Sequence, residues 1–591
     1  MSKFFTYCFV DENLDQHDSN EPIDTITSLL KLSKEIISDH IIPYFDEKTI
    51  ISFAGVCSEW RRIVKTTKVK GVQCFSVHYS ASNFMFQSLN EMSGLIKGDL
   101  NEIFSEFFIH GKVGNKNVTF ERSVFKRLFN SKKVESLTLE STNIITKDIP
   151  SKHCSTLTNL KLINVEVSEE NLRILCTRLE RLTELTLIGN NIGKRAGLIL
   201  SNSKLKNLTH LTIGNGVGNE GAEFLLTSDK LRNLKKLEFV EIAGPYIDGS
   251  VKHVPRIDSS KFPSLCCFTS RRHLLCKEGI MNVLNSGIPW KELSLISCET
   301  LDDDCLLHIS KITSIEKLCL AEPFDGRTSC LKAYKYLSSL QNMIHLEIRS
   351  DNDGLLELCN MKTNNLKHFC NYRSQTTSEV SEYAIQKFCD TFLNLTFLKF
   401  YNNNLGSGCM CHISKLPNLI DLQLDRTNVN MKDIKYISRM NHLKSLVFGS
   451  PISCEGMRDI CDGSLINLTT LIFSYSSNAR KFEEIDGSYL STSNFPKLTY
   501  LSISNGLFAM NNFLVNLASG SSLKHLKHLE LLTDLFHEQT LLDIVNHLCP
   551  HYLTIYRNYA LNYEELRKKI TSSTKIIFYE EFQSDKFISL Q

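Results

Sequence analysis

LTELTLIGNNI, residues 182–192, holds the plan of the whole chain. Leu182, Leu185 and Leu187 follow the pattern L-x-x-L-x-L, and Asn190 and Ile192 come after them. Alternating apolar residues such as Leu185 and Leu187 fall on one face of a short strand. A polar residue just beyond stands where the chain must turn, and its side chain can satisfy backbone groups there. The same order returns elsewhere. Leu395, Leu398 and Phe400 lead to Asn403 and Leu405, Leu419, Leu422 and Leu424 to Thr427 and Val429, and Trp290, Leu293 and Leu295 to Cys298 and Leu301.

Marked by its first apolar residue, the pattern starts at Val134, Leu157, Leu182, Leu208, Leu234, Phe262, Trp290, Ile315, Met343, Leu366, Leu395, Leu419, Leu443, Leu468, Leu498 and Leu526. The mean period is about 26 residues, in the range of short stacked repeats. The units at Phe262 and Leu366 fit less well, and Pro550, Leu553 and Ile555 offer a weaker final unit. Between strands, NLRILCTRLERL (171–182) and LDDDCLLHISKI (301–312) carry apolar residues at helical spacing. No unit can bury its own apolar face, so neighbours must stack to close a core. Strand and helix in alternation predict parallel strands on one side and helices on the other.

These repeats resemble the leucine-rich-repeat family. NEGAEFLL (219–226) is similar to the ribonuclease-inhibitor type, and CETLDDDCLLHI (298–309) to the cysteine-containing type of F-box proteins. The resemblance implies an α/β leucine-rich-repeat solenoid, with parallel strands concave and helices convex. We expect it to span 131–560 with about 16–17 repeats. Residues 71–130 read as a linker or as degenerate first repeats, with Val72, Phe75 and Val77, or Phe104, Phe107 and Ile109, as strand positions. Residues 1–29 are expected to be poorly ordered, and 561–591 to form a C-terminal helix or tail that caps the array.

Ahead of the repeats, residues 32–64 read LSKEIISDHIIPYFDEKTIISFAGVCSEWRRIV, and about half are apolar. Three short helices fit, with Pro43 near a junction and Asp46 placed to cap the next helix. So small a bundle cannot hide that much apolar surface, and the excess must cover a partner or the first repeats. The segment resembles an F-box: Leu32 and Glu35 match its start, Ile36, Ile37, Ile41, Ile42, Tyr44 and Phe45 its first helix, and Ile50, Ile51, Val56, Cys57, Trp60, Arg61 and Arg62 the rest. Ser33 stands where the family has Pro, and one extra residue separates Ile37 from Ile41. The resemblance implies a small α-helical F-box-like domain over 30–70. It would dock a Skp-type adaptor, and through it a cullin, by way of Leu32, Ile36, Ile37, Ile41, Ile42, Phe45, Ile50, Ile51, Val56, Cys57, Trp60 and Arg61. The repeats would then hold a protein substrate for ubiquitin transfer, supplying proximity without bond chemistry. A ligase-independent repeat scaffold or inhibitor, or a GTPase-activating regulator, are the alternative readings.

Residues between the inward positions of each strand should face the concave side. Early strands offer Glu184, Thr186, His210, Thr212, Lys236 and Glu238 there. A richer set is His345, Arg349, His368, Tyr372, Phe397, Lys399, Tyr401, Asp421 and Asp425, with Glu347 and Gln423 among them. Aromatics and Arg beside rim charges suit a protein-binding surface.

Composition narrows the classes. The chain has 591 residues, 42% apolar and 22% charged, with a formal net charge of +2. No basic excess points to nucleic acid, and no apolar run reaches the length of a membrane span. The opening MSKFFTYCFVDENLDQHD turns acidic too early for a secretory signal. The 20 cysteines are therefore expected to be free thiols in a cytoplasmic protein, with the nucleus as a second location. Cys298 and Cys370 fit as small buried side chains. GNNIGK (189–194) is a repeat turn rather than a phosphate loop, since it lacks the spacing and the following Ser or Thr. CMCH (409–412) and CCFTSRRHLLC (266–276) lack a second ligand pair at zinc-site spacing. No catalytic motif, metal or cofactor is expected.

Overall fold

The computed structural model describes residues 134–556 except for short stretches, the longest being 144–155, 241–252, 322–332 and 474–487, and adds strands at Cys74–Tyr79, Glu106–Val113, Lys116–Thr119 and Lys575–Tyr579. The F-box-like segment, with every adaptor-docking residue named above, lies outside the described residues, as does 1–29. By contacts the chain divides into two units, Met1–Ser250 with Ser260–Ser264, and Val251–Ser259 with Leu265–Gln591.

In the first unit, strands β1 (Cys74–Tyr79), β2 (Glu106–Val113), β4 (Ser136–Glu140), β6 (Asn159–Ile163), β7 (Glu184–Ile188), β8 (His210–Ile213) and β9 (Lys236–Val240) pair in parallel, each with the next. Two short strands, β3 (Lys116–Thr119) and β5 (Thr142–Asn143), sit beside this ladder, β3 antiparallel to β2. The sheet thus begins within 71–130, ahead of the first marker at Val134. Helices Glu169–Arg178, Arg195–Ser201 and Gly218–Thr227 connect successive strands.

In the second unit the parallel order runs β10 (Cys267–Arg271), β11 (Glu292–Ile296), β12 (Lys317–Cys319), β13 (His345–Ile348), β14 (His368–Tyr372), β15 (Phe397–Tyr401) and β16 (Asp421–Leu424). It continues through β17 (Ser445–Phe448), β18 (Thr470–Phe473), β19 (Tyr500–Ser504), β20 (His528–Leu532), β21 (Tyr552–Tyr556) and β22 (Lys575–Tyr579). Both units are α/β leucine-rich-repeat arrays.

The strand signal translates directly. In β7, Leu185 and Leu187 are buried while Glu184, Thr186 and Ile188 are half-buried. One marker was misplaced. The unit read from Phe262 has its strand at β10, and its inward residues are Leu265, Phe268 and Ser270. Ser270 fills a position where an apolar residue was expected, so Phe262, Leu265 and Cys267 imitated the pattern three residues early. At the far end a strand, β22, occupies part of the segment expected to be a helix or tail; the run KIIFY is rich in β-branched and aromatic residues.

Several helices start behind a polar cap. Ser168, Asp302, Asp351, Ser381 and Ser453 each accept a hydrogen bond from the backbone N–H three residues on. The helix expected over 171–182 ends at Arg178, because Leu182 already belongs to the approach to β7. Several strands are followed by a left-handed residue: Ser141, Asn164, Gly189, Asn402 and Arg426 all have φ between 51° and 66°.

Beyond that turn several repeats place a polar residue. Asn190 donates to Leu162 O at 2.8 Å and accepts from Val165 N at 3.1 Å. In the second unit such residues join into a ladder. Asn371 accepts from Ser350 N at 2.9 Å, and Asn403 donates to Asn371 O at 3.0 Å and Tyr401 O at 2.9 Å. Thr427 donates to Phe400 O at 2.7 Å. Asn371 explains the weak unit at Leu366: an amide replaces the third apolar residue and enters the ladder, fully buried. Replacing Asn403 by Ala removes donors from two buried carbonyls and is expected to cost about 1–3 kcal/mol. A chemical-denaturation midpoint unchanged from the parent protein would show that the ladder carries no such weight.

Candidate functional site

The face of the second unit opposite its inward leucines carries His345, His368, Tyr372, Phe397, Lys399, Tyr401 and Asp421 of the residues the sequence singled out for substrate binding, and Arg349 and Asp425 lie just past the ends of β13 and β16. His345, His368, Phe397 and Asp421 occupy equivalent register positions on β13, β14, β15 and β16. Glu347, Cys370, Lys399 and Gln423 form the next row, and Tyr372 pairs with Tyr401 in the row after. Parallel strands lie about 4.8 Å apart, close enough for side chains in one row to touch.

They do touch. The rings of His345 and His368 stack at 3.8 Å and 8°, and those of His368 and Phe397 at 3.8 Å and 5°. Tyr372 and Tyr401 meet at 6.1 Å with a 57° tilt. Lys399 lies 3.1 Å from Asp425 and 5.9 Å from the Tyr401 ring centre, and the Arg426 guanidinium sits 5.7 Å from that ring.

Facing the concave side does not leave all of these residues open: Arg349 is 5% exposed, Tyr372 5% and Tyr401 7%. Neighbouring repeats supply the cover: Ala321, Cys370, Tyr372 and Tyr401 form a small apolar cluster with Phe397 packed against it. What remains accessible is the half-buried column of His345, His368, Phe397 and Asp421, with Lys399 and Asp425 beside it.

Burial and close polar partners together shift the titratable groups of this face. Burial alone would raise the Glu347 carboxyl, but the hydrogen bond and charge of His345, 2.6 Å away, and the Tyr372 hydroxyl, 3.1 Å away, outweigh it and hold the group at about 2. Burial first, and then the nearby His345 charge, push His368 down to about 3. Asp421 is raised by burial. The thiols of Cys319 and Cys370 are pushed well up, chiefly by burial and then by the Glu347 charge.

One side chain in this region went unremarked in the sequence. Cys319 ends β12, and its thiol comes together with His345 and Glu347; Glu347, His368 and Cys370 form a second such group. Cys370 is buried as expected, but on the open face, whereas Cys298 sits at the turn within 3.9 Å of Ile296 O. The cysteine runs noted in the sequence gather no comparable group among the described residues. In CMCH, Cys409 donates to Val380 O at 3.5 Å and His412 lies 3.1 Å from Glu382. Cys276 caps its helix, accepting from Gly279 N at 3.5 Å. Late on the same face, Tyr500 donates to Glu530 and packs edge-on against His528 at 5.0 Å.

No protein-family model matches the chain, and no curated protein does. Solved structures that align with it include a TLR13–ssRNA13 complex, at 17% identity and a TM-score of 0.35, covering 81% of this chain and 61% of that one. The complex of Rad7 and Elc1 in yeast aligns at 13% identity and a TM-score of 0.35, over 71% of this chain and 85% of that one. The plant peptide hormone receptor RGFR1 in complex with RGF2 aligns at 13% identity and a TM-score of 0.29, over 87% and 88%. The chain therefore spans somewhat under two thirds of the TLR13 chain. Among the described residues no helix is long and apolar enough to cross a membrane.

Proposed function

We propose that the chain is a non-catalytic, substrate-reading subunit of a cullin-based ubiquitin ligase. Residues 32–64 dock a Skp-type adaptor, and the open face of β13–β16 holds a protein substrate. The observation that supports this most is an order of features. An F-box-like run ending VCSEWRR (56–62) precedes stacked repeats whose face gathers aromatic, basic and acidic side chains on adjacent strands. The rigid column of His345, His368 and Phe397 offers a preorganised apolar strip, and Lys399 with Asp425 a charged edge. The chain supplies proximity, and the recruited partners perform the chemistry.

Affinity purification of the full chain from eukaryotic cells, read by mass spectrometry, tests both halves. The parent chain should recover a Skp-type adaptor and a cullin. Ile51→Asp with Trp60→Ala should recover about tenfold less, since buried anchor residues commonly carry 2 kcal/mol or more of an interface. Phe397→Ala should keep the adaptor and lose the remaining specific partner. Absence of the adaptor from the parent eluate would overturn the ligase reading. Equal partner recovery with Phe397→Ala would overturn the placement of the substrate.

A further inference from the structure

The side chains of Cys319, His345, Glu347, His368 and Cys370 meet on the open face of three successive strands, β12, β13 and β14. They form two overlapping donor groups, Cys319 with His345 and Glu347, and Glu347 with His368 and Cys370, and within each group the ligating atoms lie within 4.8 Å of one another. The geometry points to a binding site for one borderline-soft divalent cation of the zinc class, with Glu347 common to both groups.

Three observations carry this. The first is orientation. The Nε2 of His345 lies 2.6 Å from Glu347 Oε1, and the Nε2 of His368 lies 3.4 Å from Cys370 Sγ, so both rings aim the same nitrogen toward the middle row of the face. Stacking of the two rings on each other and on Phe397 fixes that aim. The second is distance. In a tetrahedral zinc site with Zn–S near 2.3 Å and Zn–N near 2.0–2.1 Å, a sulfur and a nitrogen lie roughly 3.5 Å apart. The His368–Cys370 separation already has that value. The Glu347 carboxylate would move back from His345 by roughly 0.7 Å to make room, since a nitrogen and an oxygen on one zinc sit about 3.3 Å apart.

The third is donor chemistry and support. Thiolate and imidazole with one carboxylate select zinc over calcium or magnesium, which require oxygen cages. Both thiols are buried, while His345 and Glu347 keep side-chain exposures of 19% each, so the site has a way in from solvent. Tyr372 donates to the second carboxylate oxygen of Glu347 at 3.1 Å, the kind of outer hydrogen bond that orients a metal ligand. On binding, each thiol that ligates gives its proton to solvent and the metal bonds to the thiolate. Bound there, the cation would tie three repeats together beside Phe397 and stiffen the strip assigned to the partner. The site does not depend on the ligase reading, and its test is separate.

The full chain, stripped with chelator and titrated with Co²⁺, is the probe. One equivalent should bind with a near-ultraviolet thiolate-to-cobalt charge-transfer band and a tetrahedral visible spectrum, and Zn²⁺ should displace it. Cys319→Ser with Cys370→Ser should abolish the band while Cys411→Ser leaves it intact. Glu347→Gln keeps the side-chain size, so the fold is retained, and should weaken Co²⁺ binding about tenfold or more. Circular dichroism confirms that each variant is folded. A parent chain with no charge-transfer band, or a folded double-serine variant that keeps it, would overturn the proposal.

Discussion

Replacing Trp290 by Ala is expected to destabilise the second unit by about 3–5 kcal/mol, the range for removing a large aromatic from a packed core. Trp290 occupies the first inward position of its repeat and is 0% exposed. Its ring tilts against Phe268 at 5.9 Å, so the cavity would open between two repeats and not within one. Its indole N–H also donates to Val283 O at 3.1 Å, at the end of the preceding helix, a carbonyl that also accepts from Ser286 Oγ at 2.7 Å, so the loss removes one donor of several. Trp290→Phe separates the two contributions. It keeps most of the volume and loses the hydrogen bond, and should cost about 0.5–1.5 kcal/mol, since Ser286 keeps the carbonyl satisfied. Far-ultraviolet circular dichroism across a denaturant series reads both variants. A loss below about 1 kcal/mol for Trp290→Ala would mean that this core collapses around the gap, contrary to close packing.

Gly197→Ala is the second large effect, and it works through excess rather than absence. Gly197 lies in helix Arg195–Ser201 against helix Gly218–Thr227. A Cβ there would fall 2.1 Å from Gly221 O and 2.6 Å from Gly221 C and Cα. Those atoms are backbone, so one helix must shift. Alanine gains about 1 kcal/mol of helix propensity over glycine. Overpacking of this kind costs about 1–3 kcal/mol and more when backbone must move, so the net sign is destabilising. Gly193→Ala is the control, because its added Cβ would meet only Glu169 Oε1, at 3.7 Å. Melting temperatures of the two variants should diverge, Gly197→Ala falling by several degrees and Gly193→Ala staying near the parent. Equal melting temperatures would refute the claim that this helix contact is set by glycine.

The architecture was legible because each repeat writes its own rule locally. Leu182, Leu185, Leu187 and Asn190 sit within one strand and one turn, so the distances that matter are short in sequence. The misplaced marker at Phe262 shows the limit: a serine at Ser270 satisfies the fold but not the pattern. The functional face was legible as a list and not as an arrangement. Strand alternation correctly put Phe397 and Tyr401 on one side, but the burial of Tyr401 is decided by Tyr372 and Cys370, which belong to another repeat. For the same reason no ligand spacing announced Cys319, His345, Glu347, His368 and Cys370. Their proximity is created by strand register, and a motif search along one dimension cannot see it.

The ladder of Ser350, Asn371, Asn403 and Thr427 has a further consequence for how such a chain can change over time. Each rung bonds to the adjoining rung, and each strand pairs only with the strands on either side. Duplication or loss of one whole repeat within this region would therefore keep the parallel register of every strand pair and change a single junction. Insertion of a few residues between Leu398 and Asn403 would break two interfaces at once. Change by whole steps preserves strand register in this architecture and confines the repair to one junction, and change by fractions of a step does not.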